Sequence, residues 1–267
     1  MQETEHLKNL LIKSAKDSKR SVSTDAIYVG PRLGIKGASI QVIDSFIETV
    51  CENIVDMKPG PLTAQYILYA DEGETIFAIN DEPVDLPPHP VGDFFEAVPD
   101  LLITIVASTK SPGGLSPRRS DAIYAHDPDN EDDIGEIDVY ISLPAETSEI
   151  VDYLRESRLE LCGILTHEMQ HVVQKMVCGH KLNSGADQDL MHHAFDTFEI
   201  DARVEEAITL MGDDEDELDE KLFLEALNTC IDHYLSRNST PDKTEEIKER
   251  MIHDHILAYR NKMHELL

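Results

Sequence analysis

The stretch from Thr166 to His171 contains the residue types of this chain that are best suited to chemistry. It reads Thr-His-Glu-Met-Gln-His, so His167 and His171 stand four positions apart. Residues at this spacing lie about 40° apart around a helix axis, so their imidazoles can converge on one metal ion. Glu168 is placed to accept a proton from a water that the metal activates, rather than to bind the metal itself. The pattern predicts a metal site with a general base beside it.

The helix that carries this motif is predicted over residues 159–178. Its apolar side chains fall on one broad side: Leu161, Ile164, Leu165, Met169, Val172, Met176 and Val177. Gly163, Gln170 and Gln174 lie on the opposite side, together with the two histidines. Because an amphipathic helix turns its apolar side towards the core, we expect His167 and His171 to face a cleft.

The motif resembles the active-site helix of the zincin metallopeptidases. In the gluzincin branch of that family, a carboxylate on a later helix is the third metal ligand. Residues 198–205 read Phe-Glu-Ile-Asp-Ala-Arg-Val-Glu, and this E-x-D-A pattern resembles segments of small gluzincin-like peptidases, including many encoded by phages. The resemblance is confined to the chain between His167 and Glu205.

The resemblance implies an enzyme of defined chemistry. It would be a zinc-dependent metallopeptidase that hydrolyses peptide bonds in a polypeptide substrate. Zinc would be held by His167, His171 and Glu199, and Glu168 would be the catalytic base. The alternative is a non-catalytic protein with a zincin-like fold, stabilised by zinc and having a structural or virion-associated role.

The third ligand is the open question within the motif. Glu199 and Asp201 are separated by about 200° of helical rotation, so a regular helix cannot turn both towards one metal. The helical wheel favours Asp201, which lies nearer the apolar side, whereas the resemblance favours Glu199. Other candidates for the third ligand are His180, His192 and His193, and Glu205 is a candidate to hydrogen-bond a ligand histidine.

The elements that position the motif change in character near Pro144. Strands are predicted over residues 65–70, 75–79, 101–107, 121–125 and 136–143, and helices over residues 39–57, 148–157, 159–178, 192–211, 215–236 and 242–266. Strands followed by helices are typical of an α+β protein. The resemblance adds a zincin-like fold, with a mostly antiparallel sheet packed on the active-site helix and residues 136–143 as the edge strand that pairs with substrate.

The predicted organisation is one catalytic domain preceded by a short arm. Residues 1–35 are polar and are assigned to the N-terminal arm, and residues 36–267 to the zincin-like domain. Within that domain, residues 36–145 form a strand-rich lobe and residues 146–267 a helical lobe.

Composition narrows the choice of partners. The chain has 53 acidic and 23 basic residues among 267, for a formal net charge of -30. Such a surface repels phosphate backbones and anionic lipids, so we expect no binding to nucleic acid or to membranes. The first residues lack a basic region followed by an apolar run, which predicts a cytoplasmic protein. Composition leaves the oligomeric state open.

Overall fold

A computed structural model describes residues 34–53, 63–69, 75–79, 82–85, 94, 98, 101–109, 120–127, 130, 133–178, 194–212, 219–238 and 244–266. The strands are β1 (Thr63–Tyr69), β2 (Thr75–Ile79), β3 (Glu82–Asp85), β4 (Leu102–Ser108), β5 (Ser120–Ala125) and β6 (Glu136–Ser142). The helices are α1 (Ile35–Asn53), α2 (Thr147–Glu156), α3 (Arg158–Cys178), α4 (Thr197–Leu210), α5 (Glu220–Asn238) and α6 (Thr244–Leu266). The α+β class and the helical C-terminal half are confirmed.

The strands form one sheet in the order β3-β2-β1-β4-β6-β5. Neighbouring strands are antiparallel except β4 and β6, which run parallel with Ile105 beside Val139. In β4 and β6, alternate residues such as Ile103, Ile105, Ile137 and Val139 are fully buried. This period of two gives the sheet one apolar face, which packs in the same core as α1, α2 and α3.

The prediction that residues 136–143 form the edge strand is wrong. Residues 136–143 correspond to β6, which pairs with β4 on one side and with β5 on the other. Among the described strands, β5 lies at this end of the sheet and beside α3. After β5 the chain turns back and enters the sheet between β4 and β5, so order along the sequence does not give order in the sheet.

Helices α4, α5 and α6 build a second apolar core. Buried residues of α4, α5 and α6, including Val204, Phe223, Ile231 and Met251, pack together there. The first core lies between α3 and the sheet. Since α3 also packs extensively against α4, the motif helix lies between the two cores.

A chain of buried hydroxyl groups fixes the three helices around the motif. Thr166, which precedes His167, has its Oγ1 2.6 Å from Ser39 Oγ on α1. Thr209 Oγ1 on α4 donates to the same Thr166 oxygen at 3.2 Å. Buried hydroxyls must find partners, so these contacts restrict how α1 and α4 can slide along α3.

Most elements lie close to their predicted positions, and the differences have local causes. Helix α1 begins at Ile35, four residues before the predicted start, after Gly34 with its positive φ of 68°. Helix α4 begins at Thr197 because Asp196 caps it by accepting from Phe198 N. Strand β3 was not predicted, since Glu-Pro-Val-Asp carries no alternating pattern. Residues 54–57, 70, 192–193, 215–218 and 242–243 of the predicted elements lie outside the described residues.

In the part of the chain that the structure describes, no helix combines the length and the apolar character needed to cross a membrane.

Candidate metal centre

The centre lies where the polar side of α3 packs against α4. Gly163 makes this close packing possible, since a Cβ there would lie 3.2 Å from Leu210 Cγ and 3.4 Å from Glu206 Cγ. Gln170 and Gln174, on the same side, are fully buried. The expectation that this side faces an open cleft is therefore only partly right, because much of it is an interface between helices.

Three side chains predicted as ligands come together at this interface. His167 Nε2 lies 3.5 Å from Glu199 Oε2, and His171 Nε2 lies 3.4 Å from Glu199 Oε1. The imidazole rings are 4.9 Å apart between centroids. One ligand atom from each of the three residues lies within 4.8 Å of the others, so the group could hold a metal ion.

The other nitrogen of each imidazole is held by a hydrogen-bond acceptor. His167 Nδ1 lies 3.1 Å from Glu206 Oε2. His171 Nδ1 lies 2.7 Å from Gln174 Oε1, and the amide nitrogen of Gln174 donates to the carbonyl oxygen of Phe198 at 2.8 Å. Because that carbonyl can only accept, Gln174 must present its oxygen to His171. Nδ1 of neutral His171 therefore carries the proton, and the closer contact with Glu206 favours the same tautomer of His167.

This assignment leaves the Nε2 lone pairs directed at a carboxylate. Three electron-pair donors that face one another repel unless positive charge lies between them, supplied either by protons on the imidazoles or by a metal ion. Metal ligation by histidine commonly has this form, with the second ring nitrogen donating to a carboxylate or amide. Zinc bonds of about 2.0–2.1 Å in tetrahedral geometry separate ligand atoms by about 3.3 Å, close to the two contacts of Glu199. The residues fit a metal ion.

The electrostatics of the site also favour a cation. Burial by itself lowers the pKa of His167, but hydrogen bonds to Glu199 and Glu206 and the charge of Glu168 raise it to about 10. Burial likewise lowers the pKa of His171, but the charge and hydrogen bond of Glu199 outweigh burial, so the pKa is raised. Burial opposes ionisation of Glu199, yet His171, His167 and Arg203 hold its pKa well below the usual range. One divalent ion would replace two imidazolium charges that repel each other.

Glu168 contacts strand β5 of the sheet. Its Oε2 accepts from the backbone N–H of Tyr124 on β5 at 2.9 Å. Burial raises the pKa of Glu168, and the two histidines oppose that rise. A carboxylate with a raised pKa next to a metal site is suited to taking up a proton near neutral pH. No sequence signal could have indicated the contact with Tyr124, because it is made by the backbone.

Gly135 secures the position of Tyr124. Its φ is 91°, and a Cβ at this residue would lie 2.4 Å from the carbonyl oxygen of Ala125 and 2.6 Å from the Tyr124 ring. Tyr124 Oη donates to the Ile134 carbonyl oxygen at 2.6 Å. The turn before β6 thus packs directly on the part of β5 that contacts Glu168.

Asp201 lies on another side of α4. It is buried and interacts with Lys262 of α6, and burial raises its pKa to about 8. Glu205 is also buried and pairs with the ammonium group of Lys262. The prediction that Glu205 hydrogen-bonds a ligand histidine is wrong, because Glu206 makes that contact with His167. Helical geometry explains this, since Glu206 follows Glu199 by two turns and shares its side of the helix.

The remaining candidates, His180, His192 and His193, lie outside the described residues.

Replacing the two candidate carboxylates should separate their roles. Glu199→Ala removes an atom that lies 3.4 Å from His171 Nε2 and should weaken zinc binding about a hundredfold. Asp201→Asn should change zinc affinity little, because its partner is Lys262 on the far side of α4. Competition with a chelator of known affinity measures both. A larger loss for Asp201→Asn would transfer the ligand role to that residue.

Comparison of the chain with family models, with curated proteins and with solved structures found no match.

Proposed function

We propose that this protein is a zinc-dependent metallopeptidase. The observation that carries the proposal is the convergence of His167 Nε2, His171 Nε2 and the Glu199 carboxylate, with Glu168 directly following the first histidine. The resemblance to gluzincins requires these four residues in these roles, and their placement on two packed helices agrees with it. The zincin-like fold and the catalytic activity are part of the proposal.

The donor set favours zinc over other common ions. Two imidazoles and one carboxylate suit zinc better than magnesium or calcium, which prefer oxygen ligands. Three protein ligands also leave a fourth position for water or substrate, as catalytic zinc sites do. When bound, zinc would supply Lewis acidity towards a water molecule and a scissile carbonyl.

The protein's own residues would move the proton. Glu168 takes a proton from the attacking water at its carboxylate and delivers it to the leaving amine. The N–H of Tyr124 holds Glu168 Oε2 in place, which leaves Oε1 for this exchange. Glu206 and Gln174 keep both imidazoles in the tautomer that directs Nε2 towards the metal.

Strand β5 is the proposed binding edge for an extended polypeptide. The Tyr124 N–H points away from β6 and towards Glu168, so this edge of the sheet lies beside the base. An extended peptide can add to a sheet edge through main-chain hydrogen bonds. In the family that the motif resembles, substrates bind in this way, and we assign β5 to that role.

A structural role is the second candidate, and one observation favours it. His167 and His171 lie on α3 and Glu199 lies on α4, so a bound metal would link a helix of the first core to a helix of the second. A metal that binds only the folded chain stabilises it. Under this interpretation, the contact of Glu168 with Tyr124 serves only to hold α3 against the sheet.

Digestion of a proteome-derived peptide library tests the enzymatic proposal. The zinc-loaded protein should cleave a subset of peptides, a strong chelator should abolish cleavage, and added zinc should restore it. Stable zinc binding without cleavage across the library would favour the structural role. Cleavage that persists after complete metal removal would contradict the proposed mechanism.

A further inference from the structure

We propose that Arg203 is a positioning residue that holds Glu199 in the orientation needed to bind the metal. This inference rests on the proposed metal centre and assigns a further residue to it. Arg203 follows Glu199 by one helical turn, and its Nη2 donates to Glu199 Oε2 at 3.0 Å. The arginine is only 2% exposed, so this ion pair lies inside the protein.

A second contact fixes the arginine itself. The guanidinium carbon lies 4.3 Å from the centroid of the Tyr234 ring on α5. A guanidinium over an aromatic face gains cation–π attraction, and more when the pair is desolvated. Arg203 is therefore held between Glu199 on its own helix and an aromatic ring on the next. Together, the two contacts restrict the position of the guanidinium group.

The contact distinguishes the two oxygens of Glu199. Oε2 accepts from Arg203, whereas Oε1 lies 3.4 Å from His171 Nε2. Arg203 thus stabilises the rotamer that keeps the carboxylate between the two imidazoles. Without it, this rotamer would lose one of the contacts that hold it.

Charge balance gives Arg203 a second effect on the same carboxylate. Glu168, Glu199 and Glu206 all lie close to His167. When ionised, the three carboxylates balance one divalent ion and one guanidinium. Loss of Arg203 would leave one negative charge unbalanced and would remove a contact from Glu199, whereas Glu206 and Glu168 would keep their own hydrogen bonds.

The sign of the change in metal affinity distinguishes positioning from a direct effect of charge. A cation near a metal ion opposes metal binding, so an arginine that acted only through its charge would weaken the binding of zinc. Arg203→Met would then raise zinc affinity. A positioning role predicts the opposite, a loss of about tenfold to a hundredfold, as for other residues that orient metal ligands.

The test measures zinc binding by chelator competition in the full chain, without any need for a substrate. Arg203→Met should show the stated loss in the wild-type background and no loss in the Glu199→Ala background, because Arg203 acts through Glu199. The cobalt(II) form of Arg203→Met should have an altered visible absorption band, which reports the coordination of the metal. Unchanged or increased zinc affinity, or an equal loss in both backgrounds, would overturn the inference.

Arg250 provides a matched control. It also lies one turn from a carboxylate, with Nε 3.8 Å from Asp254 Oδ2, and its guanidinium carbon lies 4.0 Å from the Phe195 ring centroid. It is exposed and does not contact the candidate ligands. Arg250→Met should leave zinc affinity and the cobalt spectrum unchanged, and a loss equal to that of Arg203→Met would overturn the inference.

Arg203→Lys covers the case in which Arg203→Met fails to fold. The lysine keeps the buried charge but lacks the planar fork, so it should still reduce zinc affinity, and wild-type affinity in this variant would overturn the inference.

Failure of the proposed function gives different results. Wild-type protein that binds no zinc contradicts the metal centre, and wild-type protein that binds zinc without cleaving peptides contradicts only the enzymatic activity.

Discussion

Replacing His171 by alanine should lower the affinity for zinc by about a hundredfold or more. Structural zinc sites with four ligands are worth about 10–16 kcal/mol, so one ligand contributes on the order of 3 kcal/mol. The substitution removes the Nε2 atom that lies 3.4 Å from Glu199 Oε1. It also removes the hydrogen bond that the oxygen of Gln174 accepts from His171 Nδ1.

Elemental analysis and chelator competition measure this effect. Wild-type protein exposed to zinc and then dialysed should retain one ion per chain, and the His171→Ala protein should retain much less. His253→Ala is the control, because His253 lies on α6 with its side chain 71% exposed. It should bind zinc like the wild type. Equal zinc content in wild type and His171→Ala would contradict the assignment of the site.

Replacing Glu168 by glutamine should abolish turnover and spare the metal. General bases contribute about 10²- to 10⁴-fold, so the rate of peptide cleavage should fall by at least about a hundredfold. The glutamine has nearly the same size, and its oxygen can still accept from Tyr124 N, so β5 keeps its contact with α3. What it lacks is the ability to take up the proton of the attacking water.

Three measurements on the same variant separate chemistry from structure. Zinc content and melting temperature should stay near wild type, while cleavage of a peptide identified from the library is lost. Glu160→Gln makes the same change in a half-exposed residue of α3 and should cleave at the wild-type rate. If the Glu168→Gln protein cleaved as fast as the wild type, Glu168 would not be the base, even with an intact metal centre.

Local pattern was enough to predict most of the elements. The positions of β6, α2 and α3 follow closely from apolar periodicity, because burial of one face is the main force that fixes a helix or strand. The spacing of His167 and His171 also needs only the helix, which places residues four apart on one side. Glu168 lies in the same helical turn, so the sequence alone also places a carboxylate next to His167.

Contacts between elements could not be predicted in this way. The helical wheel of α4 favoured Asp201, on the assumption that the apolar side would approach the metal. The structure packs the side of α4 that bears Glu199, Arg203 and Glu206 against α3. Gly163 leaves space for Glu206 at this interface, and Glu206 contacts His167. Only the resemblance to gluzincins favoured Glu199 from the sequence.

The sequence by itself determined the α+β class, the motif helix and the pair of histidines, since each depends on the period of a single segment. The tertiary structure decided which carboxylate faces the histidines, that Glu206 and Gln174 hold their Nδ1 atoms, and that β5 rather than β6 is the edge next to Glu168. These features depend on the packing of α4 on α3 and on the order of strands in the sheet. Both arise from contacts between residues far apart in the chain, which no local period encodes.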